Sequence, residues 1–94
     1  MKICLVGCGK MGSSLLEGWS LLSLIHEILI IEPNSDNIPK ELIGIKKFYF
    51  YNDLTKIKNS NVFDIIVLAV KPQVMKDVVT QLSKFNIKSN AWLS

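Results

Sequence analysis

Ninety-four residues make one domain or part of one, and a chain of this size buries roughly two-thirds of its unfolded surface, so its core is thin. Hydrophobic residues make up 49% and mean hydropathy is +0.31, which points to apolar surface meant for a partner or for further chain. The net charge of +3 rests on 11 lysines and no arginine, spread from Lys2 to Lys88, which argues against a nucleic-acid reader, and no apolar run reaches the ~18 residues of a membrane span.

Lys2–Val6 is a short apolar run stopped by Gly7 and reads as a buried parallel strand. The period then changes. Met11, Leu15, Trp19 and Leu22 fall on one helical face, which predicts a helix from Lys10 to about Ser23. Gly18 inside it suggests close packing. Glu27–Ile31 is a second strand, ended by Glu32-Pro33, and Asn34 to Asn37 is turn chemistry.

Pro39–Ile43 predicts a short helix with Gly44 as its stop. Ile45–Tyr51 is rich in β-branched and aromatic residues and suits an outer strand. Asn52 or Asp53 caps a short helix over Leu54–Lys58, and Asn59 to Asn61 is a turn. Val62–Val70 is the third long apolar run. Pro72 opens a helix with Val74, Val78 and Leu82 on its apolar face and Met75 and Val79 beside them. Ile87 to Ser94 is the approach to another strand, beginning at Ala91-Trp92-Leu93. Strands and helices alternate, which predicts an α/β fold: a Rossmann-like parallel sheet with helices on both faces, incomplete at its C-terminal end.

Gly7-Cys8-Gly9-Lys10-Met11-Gly12 matches G-x-G-x-x-G between a predicted strand and a predicted helix, the context that gives this motif meaning. Gly7 permits the tight turn. Gly9 lets the backbone approach a pyrophosphate. Gly12 lets the helix pack on the strand. The helix N–H groups and dipole then hold the phosphate charge. A glycine-rich turn without ligand is the rival reading. Glu32 stands twenty positions beyond Gly12, where an acidic residue grips the adenosine ribose and disfavours a 2′-phosphate; the rival is a solvated strand-end carboxylate.

Cys8 is either a low-pKa thiol at a helix N-terminus or a small residue fitting a crowded turn. Cys4 and Cys8 are badly placed for a disulfide, and the lone His26 cannot complete a zinc site with them. No metal site is expected.

Three segments together go further: Val6–Gly12 followed by Leu15-Leu16-Glu17-Gly18, then Glu32-Pro33-Asn34, then Leu68-Ala69-Val70-Lys71-Pro72-Gln73. They resemble the N-terminal dinucleotide-binding domain of pyrroline-5-carboxylate reductase over essentially the whole chain. The resemblance implies an NADP or NAD cofactor. Val6, Gly7, Cys8, Gly9, Lys10, Met11 and Gly12 would cradle its pyrophosphate. Glu32, Asn34 and Asn52 would lie near the adenosine ribose, and Ala69, Val70, Lys71 and Pro72 near the nicotinamide ribose. Many members of that family carry Ser or Thr in place of Glu32 and use NADPH.

The family also has a C-terminal helical domain for dimerisation and substrate, which residues 1–94 lack. No catalytic residue is assigned. The expectation is a truncated, cytoplasmic, reductase-like protein that binds the dinucleotide and meets 1-pyrroline-5-carboxylate only if another domain completes it. A non-catalytic nucleotide-binding module and a fragment of another Rossmann oxidoreductase are the alternatives. Nucleic acid and membrane are not expected partners. Truncation is further expected to expose the third long strand and the helix after it.

Overall fold

A computed structural model describes residues 1–57 and 62–94. Lys58 and the turn expected at Asn59 to Asn61 lie outside them. Among the described residues five strands form one sheet: β1 (Lys2–Val6), β2 (Glu27–Ile31), β3 (Phe48–Tyr51), β4 (Val62–Leu68) and β5 (Lys88–Leu93). All neighbouring strands are parallel, and their order is β3-β2-β1-β4-β5. Two α-helices, α1 (Lys10–Trp19) and α2 (Pro72–Lys84), follow β1 and β4. No described helix is long and apolar enough to cross a membrane.

The apolar runs are continuous because the three inner strands face protein on both sides. Successive side chains alternate between faces. Cys4, Val6, Leu29, Ile31, Ile66 and Leu68 point into one core, closed by Leu82 of α2 with Leu54 and Ile57. Ile3, Leu5, Ile28, Ile30 and Val67 point into the other, closed by Leu16 of α1 with Leu42 and Phe48. The sheet is thus a wall between two thin cores. Each fully buried aliphatic side chain contributes about 1.5–3 kcal/mol.

Several local expectations are corrected. The helix α1 ends at Trp19 and not near Ser23. The backbone then turns, with Leu21 N–H donating to Gly18 and Leu22 N–H to Trp19. The Lys47 ammonium donates to the carbonyls of Trp19 and Leu22, at 2.8 and 2.9 Å, and so satisfies the end of the helix from a distant part of the chain. Leu22 is 49% exposed and Met11 59%, so the buried stripe runs through Gly12 and Leu16, with Leu15 and Trp19 at its margin. Gly18 is not a close-packing residue, because a Cβ there would meet nothing within 4 Å.

The helices expected after Pro39 and Asp53 are single 3₁₀ turns, Lys40–Leu42 and Leu54–Lys56. Gly44, at φ +98°, reverses the chain after the first. Asp53 caps the second by accepting the Thr55 N–H at 2.7 Å.

The last element is a full strand and not the approach to one: β5 pairs with β4 from Val62↔Lys88 to Val67↔Leu93. That pairing covers β4, whose Ile66, Val67 and Leu68 are buried. On β4 only Val62, at its start, stays exposed among the large apolar residues; the open edge is β5, where Trp92 is 45% and Leu93 55% exposed, and α2 is exposed at Val74 and Val79, as expected.

Candidate functional site

The strand order reverses between β1 and β4. The chain leaves β1 for α1 on one face, and it leaves β4 for α2 on the other. The two departures open a crevice at the carboxyl ends of adjacent strands, the place where open α/β sheets bind ligands.

Backbone bonds hold the rim of that crevice in register. Ala69 N–H donates to the Val6 carbonyl at 2.8 Å, Gly7 N–H to Ile31 at 2.8 Å and Glu32 N–H to Tyr51 at 2.9 Å. Gly7, Glu32 and Ala69 therefore stand side by side, one residue past three strand ends.

The three glycines of the turn differ physically. Gly7 has φ +94°, and a Cβ built on it would lie 2.5 Å from the Ala69 carbonyl oxygen. A Cβ on Gly12 would lie 2.7 Å from the Gly7 carbonyl oxygen. Both are required by the fold itself. A Cβ on Gly9 would meet nothing within 4 Å, so packing does not demand glycine there. The space over Gly9 lies at the N-terminus of α1, where Gly9 caps the helix without a side-chain bond.

The first N–H groups of a helix have no intrahelical partner. Neither α1 nor α2 has an acidic residue in its first turn. Lys10 opens α1 and Lys71 is the cap of α2, both against the usual charge preference of helix N-termini. Open space, unfilled donors and two lysines at helix N-termini fit a diphosphate.

The expected site residues lie along the carboxyl edge of the sheet. Val6, Gly7, Cys8 and Gly12 are buried, and Gly9, Lys10 and Met11 are exposed at the start of α1. Val6, Asn52 and Val70 line a cavity of about 280 Å³, with Val74, Asp77 and Gln81 on its α2 side. Glu32 and Asn52 border a neighbouring cavity of about 400 Å³, with Ser35, Tyr51 and Lys56. Ala69 and Val70 are half-buried at the rim, while Lys71 and Pro72 are exposed and start α2. Asn34 is exposed and its side chain accepts the Asp36 N–H at 3.0 Å.

Glu32 is not a solvated strand-end residue. It is 7% exposed. Its Oε1 accepts the Cys8 N–H at 2.6 Å, and its Oε2 accepts the Asn34 N–H at 2.9 Å and the Asn37 amide at 3.3 Å. Asn37 escaped the sequence reading, which saw only a turn. The one available signal was its place on the 3₁₀ turn Ser35–Asn37, which folds it back over the strand end.

The low-pKa reading of Cys8 is overturned. Its side chain is fully buried, and burial raises its thiol pKa; the Ser13 hydroxyl at 3.8 Å pulls it down, and Glu32 pushes it up. Burial pushes Cys4 up to about 12. Both thiols are free. A thiol reagent at pH 7.5 is expected to label neither in the folded chain and both in denaturant; labelling of Cys8 before unfolding would contradict this.

Cys4 also makes stability depend on alkaline pH. Above the ordinary thiol value of 9.0 the unfolded chain gives up the Cys4 proton while the folded chain keeps it until about 12. The contribution of Cys4 to stability is intact below 9.0 and falls as pH rises toward 12, by about 1.4 kcal/mol per unit. Urea midpoints measured at successive pH values above 9.0 check the sign, and a Cys4→Ser variant should show a shallower loss.

Comparisons with known proteins bear on the fold and the family. The solved structure of a 3-hydroxyacyl-CoA dehydrogenase from Archaeoglobus fulgidus matches with a TM-score of 0.65 and 24% identity, over 97% of this chain and 32% of that one. At that identity the likeness shows the Rossmann-like fold, and the chain spans about a third of that protein's length. Comparison with curated proteins gives no match. A family profile described as NADP oxidoreductase, coenzyme F420-dependent, matches residues 2–90. With its reversal-point crevice, its glycine turn and that match, the chain is an NAD(P)-binding, oxidoreductase-type domain that belongs to the coenzyme F420-dependent NADP oxidoreductase family.

Proposed function

We propose that this domain presents a nicotinamide dinucleotide to a cyclic imine, as the cofactor half of a reductase of the pyrroline-5-carboxylate type. The observation that carries this reading is the strand ending Ala69-Val70-Lys71-Pro72-Gln73 packed directly on the glycine turn, where the missing Cβ of Gly7 makes room for the Ala69 carbonyl. In this reading Gly7 to Gly12 hold the pyrophosphate, Asn34 and Asn52 approach the adenosine ribose, and Ala69 to Pro72 border the nicotinamide ribose. The bound cofactor supplies the hydride, and the protein supplies position and charge. Within these 94 residues no side chain is assigned a role on the reacting carbon.

Glu32 favours a second reading, the cofactor domain of another Rossmann oxidoreductase. Its carboxylate stands where many pyrroline-5-carboxylate reductases carry Ser or Thr.

The test is titration of the purified chain with NADH and NADPH, read by nucleotide fluorescence, followed by 1-pyrroline-5-carboxylate in the same cuvette. Binding without oxidation is expected. Joined to the helical domain of a pyrroline-5-carboxylate reductase, the chain is expected to gain imine-dependent oxidation. A chimera that binds nucleotide and leaves the imine untouched would favour the second reading. Failure to bind either nucleotide would remove both.

A further inference from the structure

Glu32 is the one buried charged residue of the described chain, and its carboxylate faces inward, toward the backbone of the glycine turn. An ionised carboxylate offers about four acceptor positions. Three are already filled by the N–H groups of Cys8, Asn34 and Asn37. A ribose presents two neighbouring hydroxyls. To accept both, Glu32 would have to release one of these donors; the Cys8 N–H is buried and its loss costs the desolvation of that group, so that bond is the one retained.

The bond to Cys8 is the shortest of the three, at 2.6 Å. It fixes the peptide between Gly7 and Cys8, next to the open space over Gly9. The Cys8 side chain adds only a weak sulfur contact to Ser13, at 3.8 Å. Charge-assisted bonds to backbone N–H groups are the strong class of hydrogen bond. They also spread the carboxylate charge over three donors, which weakens its repulsion of a nearby phosphate.

We infer that Glu32 is a positioning residue of the phosphate-binding turn and not the residue that selects between NADH and NADPH. It acts through the Cys8 peptide, which either dinucleotide meets in the same way. The inference rests on the dinucleotide-binding reading of this site.

The experiment compares the full chain with Glu32→Gln and Glu32→Ala, each titrated with NADH and with NADPH. Glu32→Ala is expected to weaken both nucleotides about tenfold or more, the worth of one charge-assisted hydrogen bond. The ratio of the two dissociation constants should stay within about threefold of the parent. Glu32→Gln should recover most of the affinity, because its amide oxygen can still accept the Cys8 N–H. The amide proton of Cys8, followed by NMR, should lie far downfield in the parent and in Glu32→Gln and move upfield in Glu32→Ala. A tenfold swing of the ratio toward NADPH in either variant would overturn the inference, since a selecting carboxylate repels the 2′-phosphate through its charge. If Glu32→Ala does not fold, Glu32→Gln alone decides, because it removes the charge and keeps the acceptor. A parent chain that binds neither nucleotide would overturn the dinucleotide reading itself, and this inference with it.

Discussion

Gly9→Ala is expected to fold like the parent and to lose dinucleotide affinity, while Gly7→Ala is expected to lose a large share of the stability. The two residues are neighbours in one turn, yet their surroundings are opposite. Gly7 has φ +94°, and an added Cβ would sit 2.5 Å from a backbone oxygen. A left-handed conformation costs an L-residue about 1–2 kcal/mol, and the overlap adds about 1–3 kcal/mol more. Against a total of about 5–15 kcal/mol for a small domain, that is a large share.

Gly9 has φ −78° and ψ −157°, which alanine adopts freely, and nothing stands within 4 Å of its missing Cβ. In the proposed site its methyl group would occupy the space left for the pyrophosphate. Displacing one charge-assisted bond costs about 1.5–3 kcal/mol, or about tenfold to hundredfold in affinity. Urea melts and NADPH titrations on both variants separate the effects. Unchanged binding by Gly9→Ala would show that the pyrophosphate lies elsewhere.

The second large effect belongs to Leu16. It is fully buried and is the side chain by which α1 closes its core. Leu16→Ala is expected to cost about 2–5 kcal/mol. Leu21→Ala, at a residue 86% exposed, should stay within about 0.5 kcal/mol. In the proposed site the first N–H groups of α1 face the phosphate, so a Leu16 defect is expected to couple to the ligand. NADPH at a hundred times its dissociation constant adds about 2.7 kcal/mol to any variant that still binds it. A Leu16→Ala midpoint that returns toward the parent under saturating NADPH would show that the helix re-seats on binding. No recovery would show that the loosened helix no longer forms the site.

What could be read from the sequence follows the range of the forces involved. The strands β1 and β2 were legible to the residue because both faces are buried and the apolar runs are unbroken. The start of α2 was legible because Pro72 is a local signal. The end of α1 was not, because its terminator is Lys47, 28 residues beyond Trp19. The first half of β5 was missed because Lys88-Ser89-Asn90 carries no apolar signature; its partner strand makes it a strand.

The glycine turn was fully visible as a motif. The sequence could not tell which of its glycines the fold itself requires, since that depends on a carbonyl 62 positions beyond Gly7. Glu32 was visible as an acid at the right spacing. Its engagement was not, because two of its three donors are main-chain N–H groups, which leave no trace in residue identity.

The strand order also bears on how the chain assembles. The central strand, β1, is the earliest in chain order, and its two neighbours come later, β2 from Glu27 and β4 from Val62. A parallel sheet cannot grow as a chain of local hairpins. During synthesis β1 can find β2 once about thirty residues are free of the ribosome, but its other edge stays open until β4 follows. For that interval the Gly7 turn lacks the Ala69 carbonyl against which it packs. The glycine turn is therefore among the first segments made and among the last to acquire its shape, and such non-local closure makes folding slow.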